Sequence, residues 1–268
     1  MTTSYAEVRP TQRTRIARYR RSLWLLTKRD LRVRYSTSVL GYVWSILDPL
    51  LMAGIYFFVF TVIFHRGKIG EEPYIVFLLS VLLPWMWFNG TISDCTRAFL
   101  REAKLIRSTT IPRTIWVNRI VLSKGIEFVL SLPVLAVFAI AFGAPINFNI
   151  VYFPLAVALQ AVLTVGIGLI VAPLVVFFRD LERAVKLILR LLFYASPIIY
   201  SATDVPHELR TMMKFNPLNG IFSLYRSAFF TQELNWGSVV IAAVMSVLLL
   251  ALGLWVFSRT ERAVLKEI

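Results

Sequence analysis

The sequence predicts an all-α, polytopic membrane protein with six transmembrane helices. Three observations carry this. Mean hydropathy is +0.69. Hydrophobic residues make up 57% of the 268 and charged residues 16%, against about 25% charged in ordinary soluble domains. The apolar residues also fall in runs of the ~20 residues that a membrane helix needs.

The spans read in order are 41–64, 74–95, 114–142, 150–178, 187–201 and 237–257. The fourth is long enough to tilt. The fifth is short and broken by Pro197, and the sixth is the cleanest. An even count puts both termini on one side. Lys and Arg fix that side as cytoplasmic by the positive-inside rule. The amino-terminal 40 residues and the regions 97–124, 179–190 and 259–266 hold 24 of them. The opposite loops hold 5, namely Arg66, Lys68, Arg210, Lys214 and Arg226.

Two segments are helical without spanning. At 100° per residue, Ile16, Tyr19, Leu23, Trp24, Leu26, Leu31 and Val33 share one arc of 15–35. Arg18, Arg21, Lys28, Arg29 and Arg32 lie opposite. This pattern fits an amphipathic helix in the inner interface, either a plain anchor or one whose cations meet anionic headgroups. Arg20 and Arg34 intrude on the apolar arc, where snorkelling is expected. Residues 204–230 hold Pro206, Pro217 and Gly220, then a short apolar run broken by Arg226. They read as short helices dipping back from the outer face, or as an external loop with a surface helix.

Chemistry-bearing motifs are few. The net charge of +14 sits between apolar runs, where topology places it, so no nucleic-acid partner is implied. Residues 1–22 lack the apolar region of a signal peptide. The one cysteine, Cys95, and the two histidines, His65 and His207, make no metal motif. No Gly-x-x-x-x-Gly-Lys-Ser/Thr loop is present to hold nucleotide phosphates. Asp180 and Glu182, flanked by Arg179 and Arg183, look more like a docking surface than an acid pair of an enzyme acting on lipid-linked sugars.

Charged and aromatic residues inside apolar runs are the remaining candidates. Asp48 lies within the first span, before Pro49. It faces either an aqueous cavity or a cation at the cytoplasmic mouth. Glu127 has Lys124 as a local ion-pair partner. Trp24, Trp44, Trp236 and Trp255 suit interfacial belts. Trp85, Trp87 and Phe88 cluster beside Pro84, and Phe193, Tyr194 and Tyr200 flank Ser196-Pro197. Such aromatic faces stack on sugar rings, and helix packing also uses them.

The chain resembles the permease subunit of type-2 ABC exporters that move lipid-linked polysaccharides and teichoic acids, such as the O-antigen and galactan exporters. The resemblance rests on ordered pieces across nearly the whole chain. These are the 29–35 segment Arg-Asp-Leu-Arg-Val-Arg-Tyr, Leu40-Gly41 with Trp44, Asp48-Pro49, Pro84-Trp85 with Phe88, and Lys104 to Arg107 before Ile111-Pro112-Arg113. Arg179-Asp180, Ser196-Pro197 through Tyr200, Asn216-Pro217 and Tyr225-Arg226 follow. Ile111 stands where such proteins often have Phe, which keeps an apolar knob but not a stacking face.

The resemblance implies a half-transporter in a bacterial plasma membrane. A homodimer would form the pore, and two copies of a separate ATPase, which bind ATP and Mg²⁺, would dock beneath. This chain would be no enzyme and would hold no cofactor. Coupling would fall on 100–112 and 179–184, with Lys104, Arg107, Pro112, Arg113, Arg179, Asp180 and Glu182. The glycan path would involve Trp85, Trp87, Phe88, Tyr194 and Tyr200, and 204–230 would form the outer gate. A lipid-diphosphate headgroup would meet Arg29, Arg32 and Arg34. Arginine outnumbers lysine 22 to 7, and the overall pattern is similar to actinobacterial galactan exporters. A drug or small-lipid exporter of the same fold is the alternative.

Overall fold

The computed structural model describes residues 12–36, 41–63, 71–109 and 111–267. Of the positions named above, Leu40, His65, Arg66 and Lys68 lie outside them. Every regular element among the described residues is helical.

Helix α1 is Gln12–Ser36. A 3₁₀ turn at Gly41–Val43 leads into α2, Trp44–Phe57, which passes into a π-helical turn at Phe58–Ile63. Gly41 has φ 48°, a left-handed conformation that costs glycine little. Then come α3 (Tyr74–Cys95), α4 (Ala98–Arg101), α5 (Ala103–Ser108) and α6 (Ile115–Ala141). The remainder are α7 (Phe153–Phe177), α8 (Leu181–Ala195), α9 (His207–Lys214), α10 (Pro217–Ser227) and α11 (Trp236–Glu267).

Among the described residues, four helices are long and apolar enough to cross a membrane. They are α3, α6, α11, and α7 with the turn before it (Phe148–Phe177). The first and fifth expected spans take other forms. The first is the broken unit of α2 and its flanking turns. The fifth begins earlier than expected, at Leu181, and ends at Ala195 rather than 201. Its 15 residues reach about 22 Å at 1.5 Å per residue, short of a ~30 Å hydrocarbon core. The stop follows from Pro197, which pushes the residue before it out of the α region. Ser196 is accordingly extended, at φ −106° and ψ 147°. The last helix outruns its expected end at 257. Phe257 and Val264, one face apart by seven residues, are buried, and Phe257 packs on Phe99.

Helix α3 is the axis of the bundle. Its apolar residues run round the whole circumference, as in a helix enclosed by others. It is buried from Tyr74 to Trp85 almost without interruption, and packs on α2, α6, α7, α8 and α10. Pro84 sits inside it, and Gln160 of α7 donates from Nε2 to the Pro84 carbonyl at 2.7 Å. Helix α10 is also a core element. All of its residues from Leu218 to Ser227 are buried, whereas α9 is largely exposed. Asn216 separates the two, and its side chain accepts from the Leu218 amide to cap α10.

Small residues let the backbones of α7, α10 and α11 touch, the close packing that membrane helices favour. A Cβ on Gly253 would lie 2.3 Å from the Gly166 carbonyl oxygen, and one on Gly220 would lie 2.1 Å from the Ser238 oxygen. By contrast, a Cβ on Gly54 of α2 meets nothing within 4 Å.

This contrast gives an expected outcome. Gly253→Ala forces α7 and α11 apart and destabilises the protein by about 1–3 kcal/mol, the usual cost of overpacking. Gly54→Ala adds helix propensity without a clash and leaves stability equal or higher. Thermal unfolding of the two purified variants in one detergent checks both.

Candidate functional site

An open cavity of about 530 Å³ lies between α2, α3 and α8. Its aromatic walls are Tyr56, Trp85, Phe193 and Tyr194. Tyr56 stacks on Phe193 at 5.7 Å between ring centroids, and Trp85 meets the same ring edge-on at 5.6 Å. Tyr194 leans perpendicular to Phe193 and is 59% exposed. Asn89 and Ser93 of α3 and Lys186 and Arg190 of α8 supply hydrogen-bonding and cationic groups. Such a wall offers apolar faces with polar points between them, which suits a hydroxylated ring.

The other aromatics read from the sequence turn elsewhere. Trp87 stands two residues from Trp85, so the helix rotates it about 200° away. It stacks on Phe128 of α6 at 5.2 Å and donates from Nε1 to the Val121 carbonyl. Phe88 is 2% exposed and touches Trp85 at 5.9 Å. Tyr200 sits behind the wall, its hydroxyl donating to the Tyr194 carbonyl at 2.9 Å.

Arg226 stands out in the sequence as a charge interrupting an apolar run and as part of the Tyr225-Arg226 piece of the resemblance. Its side chain is 1% exposed. It donates to the carbonyls of Ile198 at 2.7 Å and Tyr200 at 3.1 Å, and lies 3.6 Å above the Phe77 ring. Glu233, at 3.5 Å, is its counter-ion and also accepts from the Ser201 hydroxyl. Tyr74 donates to the Ile199 carbonyl, so three successive carbonyls of the extended segment after α8 have side-chain donors. The signal in the sequence was the cost of an arginine amid apolar residues, which implies buried partners.

At the basic end of the bundle α1 lies against α6 and reaches α3 and the break between α4 and α5 through side chains. Arg119 of α6, 6% exposed at its side chain, grips Asp30 of α1 through both carboxylate oxygens at 2.6 and 2.7 Å. Glu102, between α4 and α5, accepts from Arg29 and stands 3.5 Å from Arg119. Arg34 pairs with Asp94 at 2.9 Å and Glu127 at 2.6 Å, and Lys124 meets Glu127 at 3.1 Å. Arg34 therefore turns inward to carboxylates, where snorkelling to an interface was expected. Arg32 is exposed, with no ion pair among the described residues. Tyr19, Leu23 and Leu26 pack on the core, while Ile16, Trp24 and Val33 stay exposed.

Asp48 is exposed and lines a cavity of about 300 Å³ with Arg34, Trp44, Trp87, Lys124 and Glu127. The cavity and the cations expected from the sequence occur together there. Among the expected coupling residues, Lys104, Arg107, Pro112, Arg179 and Asp180 are exposed at this same end. Arg113 pairs with Glu261 of α11 at 3.3 Å. Glu182 accepts from Arg97 and Lys186. Those two hydrogen bonds, Arg97 first, hold its carboxyl down to about 2, so the link from α8 to the α3–α4 corner stays charged at neutral pH.

Comparison with known proteins adds a family. The profile described as ABC-2 type transporter matches residues 21–230. The O-antigen export system permease protein RfbA of Klebsiella pneumoniae is 34% identical over 240 residues, covering 89% of this chain and 92% of that protein. A protein of the same name from Myxococcus xanthus is 32% identical over 247 residues, 91% of this chain and 94% of its own. The polysialic acid transport protein KpsM of Escherichia coli is 25% identical over 242 residues, 88% and 92% of the two chains.

Arg226→Ala strands the buried Glu233 and two carbonyls, and is expected to cost about 3–5 kcal/mol. The double variant Arg226→Met with Glu233→Met leaves no stranded charge and loses less. Thermal unfolding compares the two, and limited proteolysis of 196–206 reports whether the segment has come loose.

Proposed function

The chain belongs to the ABC-2 type transporter family as a membrane permease, and we propose that it exports a cell-surface polysaccharide carried on a lipid diphosphate. The observation that carries the reading is the likeness to O-antigen export permeases along nine tenths of the chain. A homodimer in a bacterial plasma membrane, both termini cytoplasmic, is the pore. Two copies of a separate ATPase bind ATP and Mg²⁺ and drive it. The Arg excess and overall pattern favour a cell-wall galactan as the glycan.

Transport begins at the basic end, where Arg29, Arg32 and Arg34 meet the diphosphate. A guanidinium offers phosphate oxygens paired donors in a plane. ATP-driven closure of the ATPases pushes on 100–112 and 179–184. The glycan then moves along the wall of Tyr56, Trp85 and Tyr194, because stacking on faces lets hydroxyls exchange partners as the chain slides. The placement of Trp85 and Tyr194 on one open cavity supports this use. Trp87 acts in the same passage by holding α3 against α6, Phe88 by backing Trp85, and Tyr200 by bracing Tyr194.

The test is export in cells carrying the chain with its ATPase. Trp85→Ala or Tyr194→Ala should lower surface polysaccharide about tenfold or more at normal membrane abundance. Trp87→Ala should instead lower abundance, since it opens a cavity worth about 3–5 kcal/mol. Normal export by both Trp85→Ala and Tyr194→Ala overturns the passage. Intact polysaccharide after deletion of the chain, with a drug or small lipid retained instead, favours the small-molecule exporter.

A further inference from the structure

A second cavity at the basic end, of about 530 Å³, opens beside α1 and is lined by the guanidiniums of Arg29, Arg34, Arg97, Arg101 and Arg119. Three carboxylates, Asp30, Asp94 and Glu102, face them, and Glu127 and Glu182 pair with Arg34 and Arg97 from outside the lining. Four of the arginines are held in ion pairs. Arg101 has none among the described residues and is exposed.

Glu102 is the unusual member. It occupies the one-residue break between α4 and α5, so its backbone moves with the segment that carries Lys104 and Arg107. Its side chain reaches Arg29 of α1 and Arg119 of α6. Asp30 contacts the same two arginines but lies on α1 itself. Taking Glu102 away leaves Arg29 and Arg119 sharing Asp30. One positive charge is then uncovered there, and Arg101 adds another.

We propose that this pocket is an exchange latch in which a diphosphate displaces Glu102 from Arg29 and Arg119 and so frees the α4–α5 segment. The inference rests on the export reading above and adds how the bound headgroup is reported to the ATPase. The chemistry is a competition between two anions for the same donors. A diphosphate diester carries two negative charges, matching the one positive charge uncovered at Arg29 and Arg119 once Glu102 leaves and the one on Arg101. Its oxygens accept from guanidinium forks in the paired geometry that makes arginine–phosphate contacts strong. Glu102 and a phosphate cannot share the site, because like charges at that distance repel. The segment keeps its apolar anchors, Phe99 and Ile106, each 2% exposed. It loses its ionic tether to α1 and α6, and α5 gains freedom to respond to a docked partner.

The experiment uses the chain with its ATPase partner in nanodiscs and reads ATP hydrolysis. The probes are inorganic pyrophosphate, a polyprenyl diphosphate in the bilayer, and a polyprenyl monophosphate. Diphosphate probes should stimulate hydrolysis about fivefold or more, within the usual range of coupling between sites, and the monophosphate little. Stimulation by pyrophosphate identifies the diphosphate as sufficient. Stimulation by the lipid form alone adds the polyprenyl chain as a requirement. Glu102→Gln should raise hydrolysis without any probe and abolish the response. Arg101→Gln should shift the half-saturating concentration about tenfold upward. Arg101 is exposed and unpaired, so this variant folds even if Glu102→Gln does not. Unchanged half-saturation in Arg101→Gln, or no response to either diphosphate, overturns the latch. Lost surface polysaccharide on deletion of the chain, together with an unshifted Arg101→Gln, overturns the latch alone. Intact polysaccharide on deletion overturns the export reading itself.

Discussion

A guanidinium enclosed by apolar helices has to find every partner inside the protein, because hydrocarbon supplies none. Arg226 meets that demand through its two terminal nitrogens, its buried Nε having no acceptor among the described residues, and in a way that shapes the surrounding structure. Its donors go to Ile198 and Tyr200, its charge to Glu233 and its face to Phe77. The segment after α8 is extended because Pro197 ends the helix, and extended backbone leaves carbonyls open. Arg226 and Tyr74 close them. The break in α8, the burial of α10 and the position of Tyr200 behind Tyr194 are thus one arrangement. Remove the arginine and the extended segment loses the donors to two of its carbonyls, keeping Tyr74 on the Ile199 carbonyl and Asn216 on the Ser196 hydroxyl.

The fold class was legible because hydropathy and charge act locally. Span lengths and loop charges need no tertiary partner to be read. The helices α3, α6, α7 and α11 appear close to where the apolar runs placed them. Pro197 was legible as a break for the same local reason. What sequence reading could not reach was rotation about a helix axis. In α3 the apolar residues cover the whole circumference, so no face marks the inside. Trp85 and Trp87 looked like one cluster, yet one faces the open cavity and the other packs on α6.

The charged residues show the same limit from the other direction. Arg34 was conspicuous because it sat on the apolar arc of α1. Its partners, Asp94 and Glu127, stand 60 and 93 residues away, and no local pattern links them. Asp30 and Arg119 are 89 residues apart. A charge that looks misplaced in a helical projection was therefore a sound pointer to a long-range contact. Only the fold could say that the contact was a carboxylate, where snorkelling had been the expectation. Asp48 differs, since the sequence offered both a cavity and nearby cations, and both are present around it.

The two exposed basic segments are tied to the bundle by carboxylates. Glu182, at the start of α8, bridges to Arg97 at the corner before α4. Glu102, just after α4, reaches back to α1 and α6. Carboxylate links thus flank α4 directly, at Arg97 before it and at Glu102 after it. Apolar contacts such as Phe99 with Phe257 allow sliding, because dispersion depends weakly on direction. Hydrogen-bonded ion pairs do not, since their strength falls steeply with angle and distance. Directional bonds thus stand at both ends of α4, to α8 and to α1, with apolar packing between them. Helix α8 carries Glu182 at one of these links and Phe193 and Tyr194 on the aromatic cavity.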